Sequence, residues 1–134
     1  MRNIWWRWNL ASVKIFGEKQ IKAKMAAVAN RVHTAVGVAL YNEGLIEMAE
    51  SMARTPVKTG ALRGSHITRH PEYRGQDVSV TIEVGGPAAP YAVVVHEDLE
   101  AFHPTGQAKY LESTIMQSAP FMLDRISKRL KAAL

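Results

Sequence analysis

Residues 54–65, Arg-Thr-Pro-Val-Lys-Thr-Gly-Ala-Leu-Arg-Gly-Ser, divide the chain into a helical part and a part of short strands. Pro56 has no backbone N–H and disfavours helical geometry in the residue before it, so a helix that precedes it should end at or just before Thr55. The residues that follow supply the dihedral freedom and local hydrogen bonds of a turn. They are Thr59, Gly60, Gly64 and Ser65. We call residues 54–65 the hinge segment.

Upstream of the hinge segment, apolar residues recur every three or four positions from Glu18 to Arg54, which is the spacing of one helix face. They are Ile21, Met25, Val28, Val32, Val36, Leu40, Leu45, Met48 and Met52. Such a helix would be roughly 50 Å long, longer than a domain of this size is wide. Either it protrudes to contact another molecule or it bends near Gly37 or Gly44, and we expect it to pack in part against other copies of the chain. The alternative is a core helix broken in two.

Downstream of the hinge segment, short runs of alternating and β-branched residues predict strands. Val78–Val84 is the clearest, and its polar–apolar alternation favours an antiparallel sheet with one wet face. His66–His70 is a weaker strand, Tyr91–Glu97 is a third, and 71–77 is predicted as a turn or loop. Asp98–Gly106 is predicted as a surface loop.

The C-terminal residues return to helical spacing, interrupted by Pro120. We expect two helical pieces, 108–118 and 120–133, with the proline in the first turn of the second. The predicted fold class is therefore α+β: a long N-terminal helix and C-terminal helices packed on a small, mainly antiparallel β-sheet. Residues 12–134 form a single domain that opens with a strand at 12–16, and residues 1–11 form an N-terminal aromatic arm.

The aromatic arm contains all three tryptophans of the chain, interspersed with arginine. Such residues are enriched at protein interfaces, at membrane interfaces and where bases stack. We predict that Trp5, Trp6, Arg7 and Trp8 contact a partner protein. The alternatives are that the rings cover the core, or that they contact lipid or nucleic acid.

Composition restricts the classes of function. The 134 residues carry a formal net charge of +5, which favours acidic neighbours, nucleic acid or anionic lipid. The chain has no cysteine, which excludes disulfides and thiol catalysis. No apolar run is long enough to span a bilayer, and the first residues lack the pattern of a signal peptide. We expect no membrane association and no export by the usual route.

Histidines and glutamates provide the only candidates for a metal or acid–base site. His96, Glu97 and His103 do not have the spacing of a known metal motif, so we expect ordinary hydrogen bonds at a strand end. His66 and His70 are expected to form an exposed pair on one strand face. Glu43, Glu47 and Glu50 are expected to form a solvated helix flank.

A search for catalytic motifs yields no nucleophile elbow and no acid–base pair. The sequence therefore predicts a protein that is not an enzyme and that uses no cofactor.

The hinge segment also carries a resemblance to a known family. Its Pro-Val-Lys-Thr-Gly-Ala-Leu-Arg-Gly-Ser, residues 56–65, resembles the Pro-Val-(Asp/Lys)-Thr-Gly-x-Leu-x-x-Ser signature of the tail-completion (neck) proteins of long-tailed bacteriophages. Tyr91-Ala92 followed by aliphatic residues and Glu97 is similar to a later family segment, as is Tyr110-Leu111-Glu112. The chain departs from the commonest form at Lys58, where aspartate is frequent, at 96–98, and in its aromatic arm.

The resemblance implies a structural virion protein that assembles in the host bacterial cytoplasm into a ring of six or twelve copies at the head–tail junction. Connector, portal-side and tail-tube proteins would be its neighbours, and DNA would only pass through the channel. The residues that the family motif carries over to the hinge loop are Pro56, Val57, Thr59, Gly60, Leu62, Arg63 and Ser65. The alternative prediction, from basic charge and the tryptophan arm, is a small nucleic-acid-binding module.

Overall fold

Helices and short strands alternate in residues 17–134, the part of the chain that the computed structural model describes. In chain order the elements are α1 (Glu18–Arg54), α2 (Ala61–Gly64), β1 (Ile67–Thr68), β2 (Glu72–Arg74), β3 (Asp77–Ser79), β4 (Ile82–Glu83), α3 (Ala92–Glu97) and α4 (Tyr110–Ala133). The α+β fold class is confirmed. The predicted arm, with Trp5, Trp6, Arg7 and Trp8, and the predicted strand 12–16 lie outside the described residues.

Helix α1 is one uninterrupted helix that ends at Arg54, as Pro56 predicts. The alternative of a helix broken in two was wrong, because Gly37 and Gly44 both lie within the continuous α1. Both glycines instead allow close packing, because a Cβ at Gly37 would lie 2.0 Å from the hydroxyl of Tyr73 and one at Gly44 would lie 2.9 Å from Cγ2 of Thr68. The absent side chains therefore let the strands approach the helix backbone.

The strands form two short antiparallel pairs, β1 with β4 and β2 with β3. Residues 71–77, predicted as a turn, instead contain β2, and the turn is confined to Gly75 and Gln76 between the paired residues Arg74 and Asp77. The predicted strand Val78–Val84 is divided between β3 and β4. The chain between them turns toward α1, where Cγ1 of Val80 would lie 3.1 Å from a Cβ at Gly44.

Residues Tyr91–Glu97 were predicted as a strand, and this was wrong, because Ala92–Glu97 form helix α3. Tight turns precede the helix: the backbone N–H of Ala89 donates to the carbonyl of Gly86, and that of Ala92 donates to the carbonyl of Ala89. Pro90 lies within these turns, directly before the N-cap residue Tyr91. Local turn geometry thus outweighs the β propensity of three consecutive valines, a preference that depends strongly on context.

Helix α4 begins at Tyr110 and continues through Pro120, so the predicted division into two pieces was wrong. The proline removes one backbone hydrogen bond without ending the helix, because α4 packs along α1 on both sides of it. Ser118 before the proline and Arg125 after it both bond to Glu47 of α1. Tertiary contacts therefore hold the two pieces in line.

Replacing the exposed Pro120 with alanine should raise the free energy of unfolding by about 1–2 kcal/mol, since it restores a backbone donor within α4. Urea denaturation would measure the change, with the neighbouring exchange Gln117→Ala expected to stay within about 0.5 kcal/mol. A destabilised Pro120→Ala variant would mean that the packing against α1 requires the proline's distortion.

A small apolar core lies near the C-terminal end of α1. It contains Leu62, Ala89, Ala92 and Tyr110, with Val84, Val95 and Leu111 packed against it. The hydroxyl of Tyr110 donates to the carbonyl of Ala92 at 3.0 Å, which satisfies its one polar group. This core joins the end of the strands, α3 and the start of α4 to the hinge segment.

Candidate functional site

The hinge segment begins where α1 ends, and its first residues are fully buried. Thr55 has extended geometry, with φ −71° and ψ 131°, and its hydroxyl donates to the carbonyl of Ser51 at 2.7 Å. The side chains of Ser51 and Thr55 both have no exposed surface. Helix termination, which Pro56 predicts, therefore also places two hydroxyl groups inside the protein.

His66 lies against these hydroxyls and is buried, which contradicts the prediction of an exposed pair with His70. Its Nε2 lies 3.0 Å from Oγ of Ser51, and its Nδ1 lies 3.0 Å from the carbonyl oxygen of Arg63. A carbonyl only accepts, so Nδ1 carries the proton and Nε2 accepts from Ser51. His70 is exposed and stacks on Tyr41 instead.

Burial lowers the pKa of His66 below its ordinary value of 6.5, and the nearby Arg63 charge acts in the same direction. The bonds that its ring makes to backbone oppose the shift without reversing it. The neutral ring is therefore the form that fits the folded protein.

The free energy of unfolding should decrease as the pH falls below about 6.5, because the unfolded chain then binds a proton that folded His66 resists. This contribution is fully present above the unfolded pKa and is lost as the pH falls through the folded one. Chemical denaturation at a series of pH values should show the slope, and His66→Gln should flatten it. His70→Gln is the matched control at an exposed position. An unchanged slope in His66→Gln would contradict the assignment.

The rest of the hinge segment joins α1 to the core and to the strands. Gly60 has φ 85°, in the left-handed region, and leads into α2, whose Leu62 is buried in the core. The hydroxyl of Ser65 donates to the carbonyl of Leu62 at 2.7 Å and accepts from the backbone N–H of Gly85 at 3.0 Å. The motif residues of the sequence prediction thus lie together in a junction between elements. Thr59 contributes by accepting from the N–H of Ala61 at 3.4 Å.

A groove of about 920 Å³ lies beside this junction. Residues 56–62 form one wall and residues 102–105 of the surface loop form the other, while Tyr91, just before α3, and Val95 within it also line the groove. The loop is tied to the hinge segment, because the N–H of Gln107 donates to the carbonyl of Arg54 at 2.8 Å. The motif residues from Pro56 to Leu62 therefore line a concave, largely apolar surface, while Arg63 and Ser65 lie outside its lining.

The seam between α1 and α4 contains a buried ion network. Glu43 and Glu47 are only 4% and 2% exposed. The Arg125 guanidinium donates to both carboxylates, and Arg129 donates to Glu43 at 2.6 Å. Burial alone would raise the pKa of Glu43, but the hydrogen bonds from the two arginines outweigh it and hold that pKa below its ordinary value.

The prediction of a solvated flank was therefore wrong for Glu43 and Glu47. A sequence signal existed: two glutamates four residues apart in one predicted helix match two arginines four residues apart in the other. Assigning the glutamates to the arginines requires knowing that α1 and α4 are neighbours, and no local sequence pattern indicates this.

His96, Glu97 and Glu112 have ligand atoms within 4.8 Å of one another, so they are a group that could hold a metal ion. His96 and Glu97 end helix α3 and not a strand. Lys109 already supplies a cation there: its ammonium binds Glu97 and lies 2.9 Å from Glu112. Hydrogen bonds from Lys109 and then His96 lower the pKa of Glu97. His103 lies apart from this cluster, in the groove wall.

Large apolar side chains are exposed on two surfaces at opposite ends of α1. Every residue from 18 to 32 is exposed, and we call these residues the exposed segment. Its apolar members are Ile21, Met25, Val28 and Val32. The second surface includes Phe102, which lines the groove, together with the exposed Val94 of α3 and Leu99 of the loop that follows it. Contiguous apolar exposure of this kind marks interaction sites.

No helix within residues 17–134 combines the length and apolarity needed to cross a membrane. Comparisons of the chain with protein families, with curated proteins and with solved structures give no match.

Proposed function

We propose that the chain is a structural protein of the bacteriophage neck, which assembles as a ring at the head–tail junction in tail completion or head–tail joining. The family resemblance of residues 56–65 suggests this class. The observation that carries the proposal is the distribution of apolar side chains: many large ones are exposed, while the described buried positions are largely small or polar.

The interior is consistent with a protein whose apolar surface is completed by assembly. Among residues 17–134 the largest fully buried side chains are Tyr110, Glu47, Thr55, Thr114 and Ser51, of which only Tyr110 is aromatic or aliphatic. In contrast, Met25, Phe102 and Leu123 are each more than half exposed. Burying such residues is favourable by roughly 1.5–3 kcal/mol per side chain, and a closed ring buries them on every subunit.

In this role the protein acts through its shape and its interfaces, without turnover. Neighbouring copies, the connector on the portal side and the tail tube would cover its surfaces, and DNA would pass through the central channel. The virion neck would be its location. Trp5, Trp6, Arg7 and Trp8 remain predicted partner contacts.

Light scattering of the purified chain, with and without the phage's connector protein, tests the proposal. We expect a ring of six or twelve copies, alone or on the connector. A chain that stays monomeric at all concentrations and does not bind the connector would contradict it. A DNA mobility shift over a salt series separates the alternative: a nucleic-acid-binding module would bind as a monomer or dimer with a steep salt dependence.

A further inference from the structure

We infer that the exposed segment of α1 binds in the groove of a second copy of the chain, so that subunits join head to tail. The occupant of the groove is thus another copy's helix, anchored by Ile21, Met25, Val28 and Val32. The inference rests on the proposed function for its biological setting, and it names the contact from which the proposed ring would be built.

The exposed segment has the pattern of a helix that packs on a partner. Its four apolar residues are spaced by four, three and four positions, which places them in one stripe. They are between 38% and 67% exposed. Farther along α1 the same face reaches the buried Ala39, where it packs inside the protein. Within residues 17–134 the stripe is therefore a packing face that is largely exposed, with only its last member, Val32, next to the hairpin of β2 and β3.

The groove has the shape and chemistry that such a helix requires. It is concave and lined by apolar groups from Val57, Tyr91 and Val95, and Phe102, which is 88% exposed, stands at its edge. Amphipathic helices commonly bind by inserting one apolar face into a groove of this kind.

The two surfaces cannot meet within one chain. Met25 and Pro56 are about 45 Å apart along the axis of α1, because each helical residue adds about 1.5 Å. A contact between them is therefore intermolecular. Since the surfaces differ, it is a heterologous contact, which generates a ring when the rotation between subunits closes.

Charge favours this contact over a symmetric pairing of two exposed segments. Helical spacing places Lys24 and Arg31 along one edge of the stripe. Along the other edge Lys22 pairs with Glu18 at 2.5 Å. In an antiparallel pairing of two such segments, the edge with Lys24 and Arg31 would face its own copy, and this meeting of like charges is unfavourable.

The groove offers charge of the opposite sign. Asp98 and Glu100 are exposed at the start of the loop whose residues 102–105 form one wall. Lys58 lies on the opposite wall and is the positive exception. Two exposed carboxylates beside this wall complement the basic exposed segment, and such complementarity fixes orientation and suppresses wrong pairings.

Cysteine cross-linking tests the inference cleanly, because the chain has no cysteine of its own. The double variant Val28→Cys/Phe102→Cys, oxidised mildly under assembly conditions, should form a ladder of covalent dimers, trimers and higher species on a non-reducing gel. Each single variant should remain largely monomeric. The control double variant Val28→Cys/Asp124→Cys, whose second site is an exposed residue of α4, should form no ladder.

The outcomes separate this inference from the proposed function. Dimers of the single Val28→Cys variant would show symmetric pairing of the helices and overturn the head-to-tail contact, while a ring remains allowed. Assembly by light scattering without any ladder would overturn the inference alone. If the thiol of the Val28→Cys variant were protected from alkylation at every protein concentration, the same chain would cover it, which also overturns the inference. Absence of both assembly and connector binding would overturn the proposed function as well.

Met25→Glu should raise the concentration for half-maximal assembly at least about tenfold, because it places a charge on the stripe. Ala23→Glu is the matched control: it makes the same charge change on the opposite side of the same exposed helix. We expect it to stay within about twofold of the parent chain. Circular dichroism would verify that both variants keep the fold. Equal effects of the two variants would contradict the stripe as the contact.

Discussion

Replacing Arg125 with methionine should lower the free energy of unfolding by about 3 kcal/mol, the effect of leaving a buried carboxylate without its partner. Glu43 and Glu47 are almost completely buried, and Arg125 bonds to both of them and to Ser118. Arg129 still reaches Glu43 in the variant, so we expect the lower end of the usual range. Urea denaturation at neutral pH would measure the loss.

The network also predicts an asymmetry between its acids and its bases. The side chains of Arg125 and Arg129 are about one-third exposed, so water can solvate them when a carboxylate is removed. Glu43→Gln should therefore destabilise the protein less than Arg125→Met. Lys128→Met, which removes an exposed base paired to Asp124 in the same helix, is the control and should have little effect. An equally small effect of Arg125→Met would contradict a structural role for the network.

Replacing Gly106 with alanine should destabilise the protein by about 3 kcal/mol. Gly106 has φ 79°, and a Cβ there would lie 2.5 Å from the backbone nitrogen of Pro56 and 2.7 Å from the carbonyl oxygen of Arg54. These are backbone atoms at the end of α1, so they cannot move aside as a side chain would. The surface loop and the hinge segment would have to separate, which would also open the wall of the groove.

Gly86 provides a control that separates the steric clash of an added Cβ from the strain of a positive φ. It has the same φ of 79°, but nothing lies within 4 Å of a Cβ built there. Gly86→Ala should therefore cost only about 1–2 kcal/mol, the penalty of a left-handed conformation for an L-residue. Thermal or urea unfolding of both variants gives the comparison. Similar losses of unfolding free energy in the two variants would show that the close contact between Gly106 and the hinge segment does not contribute to stability.

Sequence patterns predicted the helices better than the strands. The apolar spacing repeated along α1 and the proline at position 56 were sufficient to predict where this helix runs and ends. Many residues repeat the same spacing, and proline ends a helix through its own covalent structure. The strands were short and their signals conflicted. Three consecutive valines favoured a strand at Tyr91–Glu97, whereas the turns before Ala92 produced a helix.

For the functional sites, too, some features were predicted from the sequence and others were not. The hinge motif was identified from its residues, and its turn geometry at Gly60 agrees with that identification. The burial of His66, the ion network of Glu43 and the groove beside Phe102 were not predicted. Each depends on which elements become neighbours across many residues of chain, and residue spacing within one element carries no information about this.

The sequence by itself determined the α+β class, the extent of α1 and the position of the hinge, because helix period, proline and glycine act over a few neighbouring residues. Only the tertiary structure decided that two glutamates are buried against two arginines, that α4 passes through Pro120, and that the stripe at Met25 is exposed within the described residues 17–134. The physical reason is that burial and ion pairing depend on what packs against a residue. That is a property of the whole folded chain.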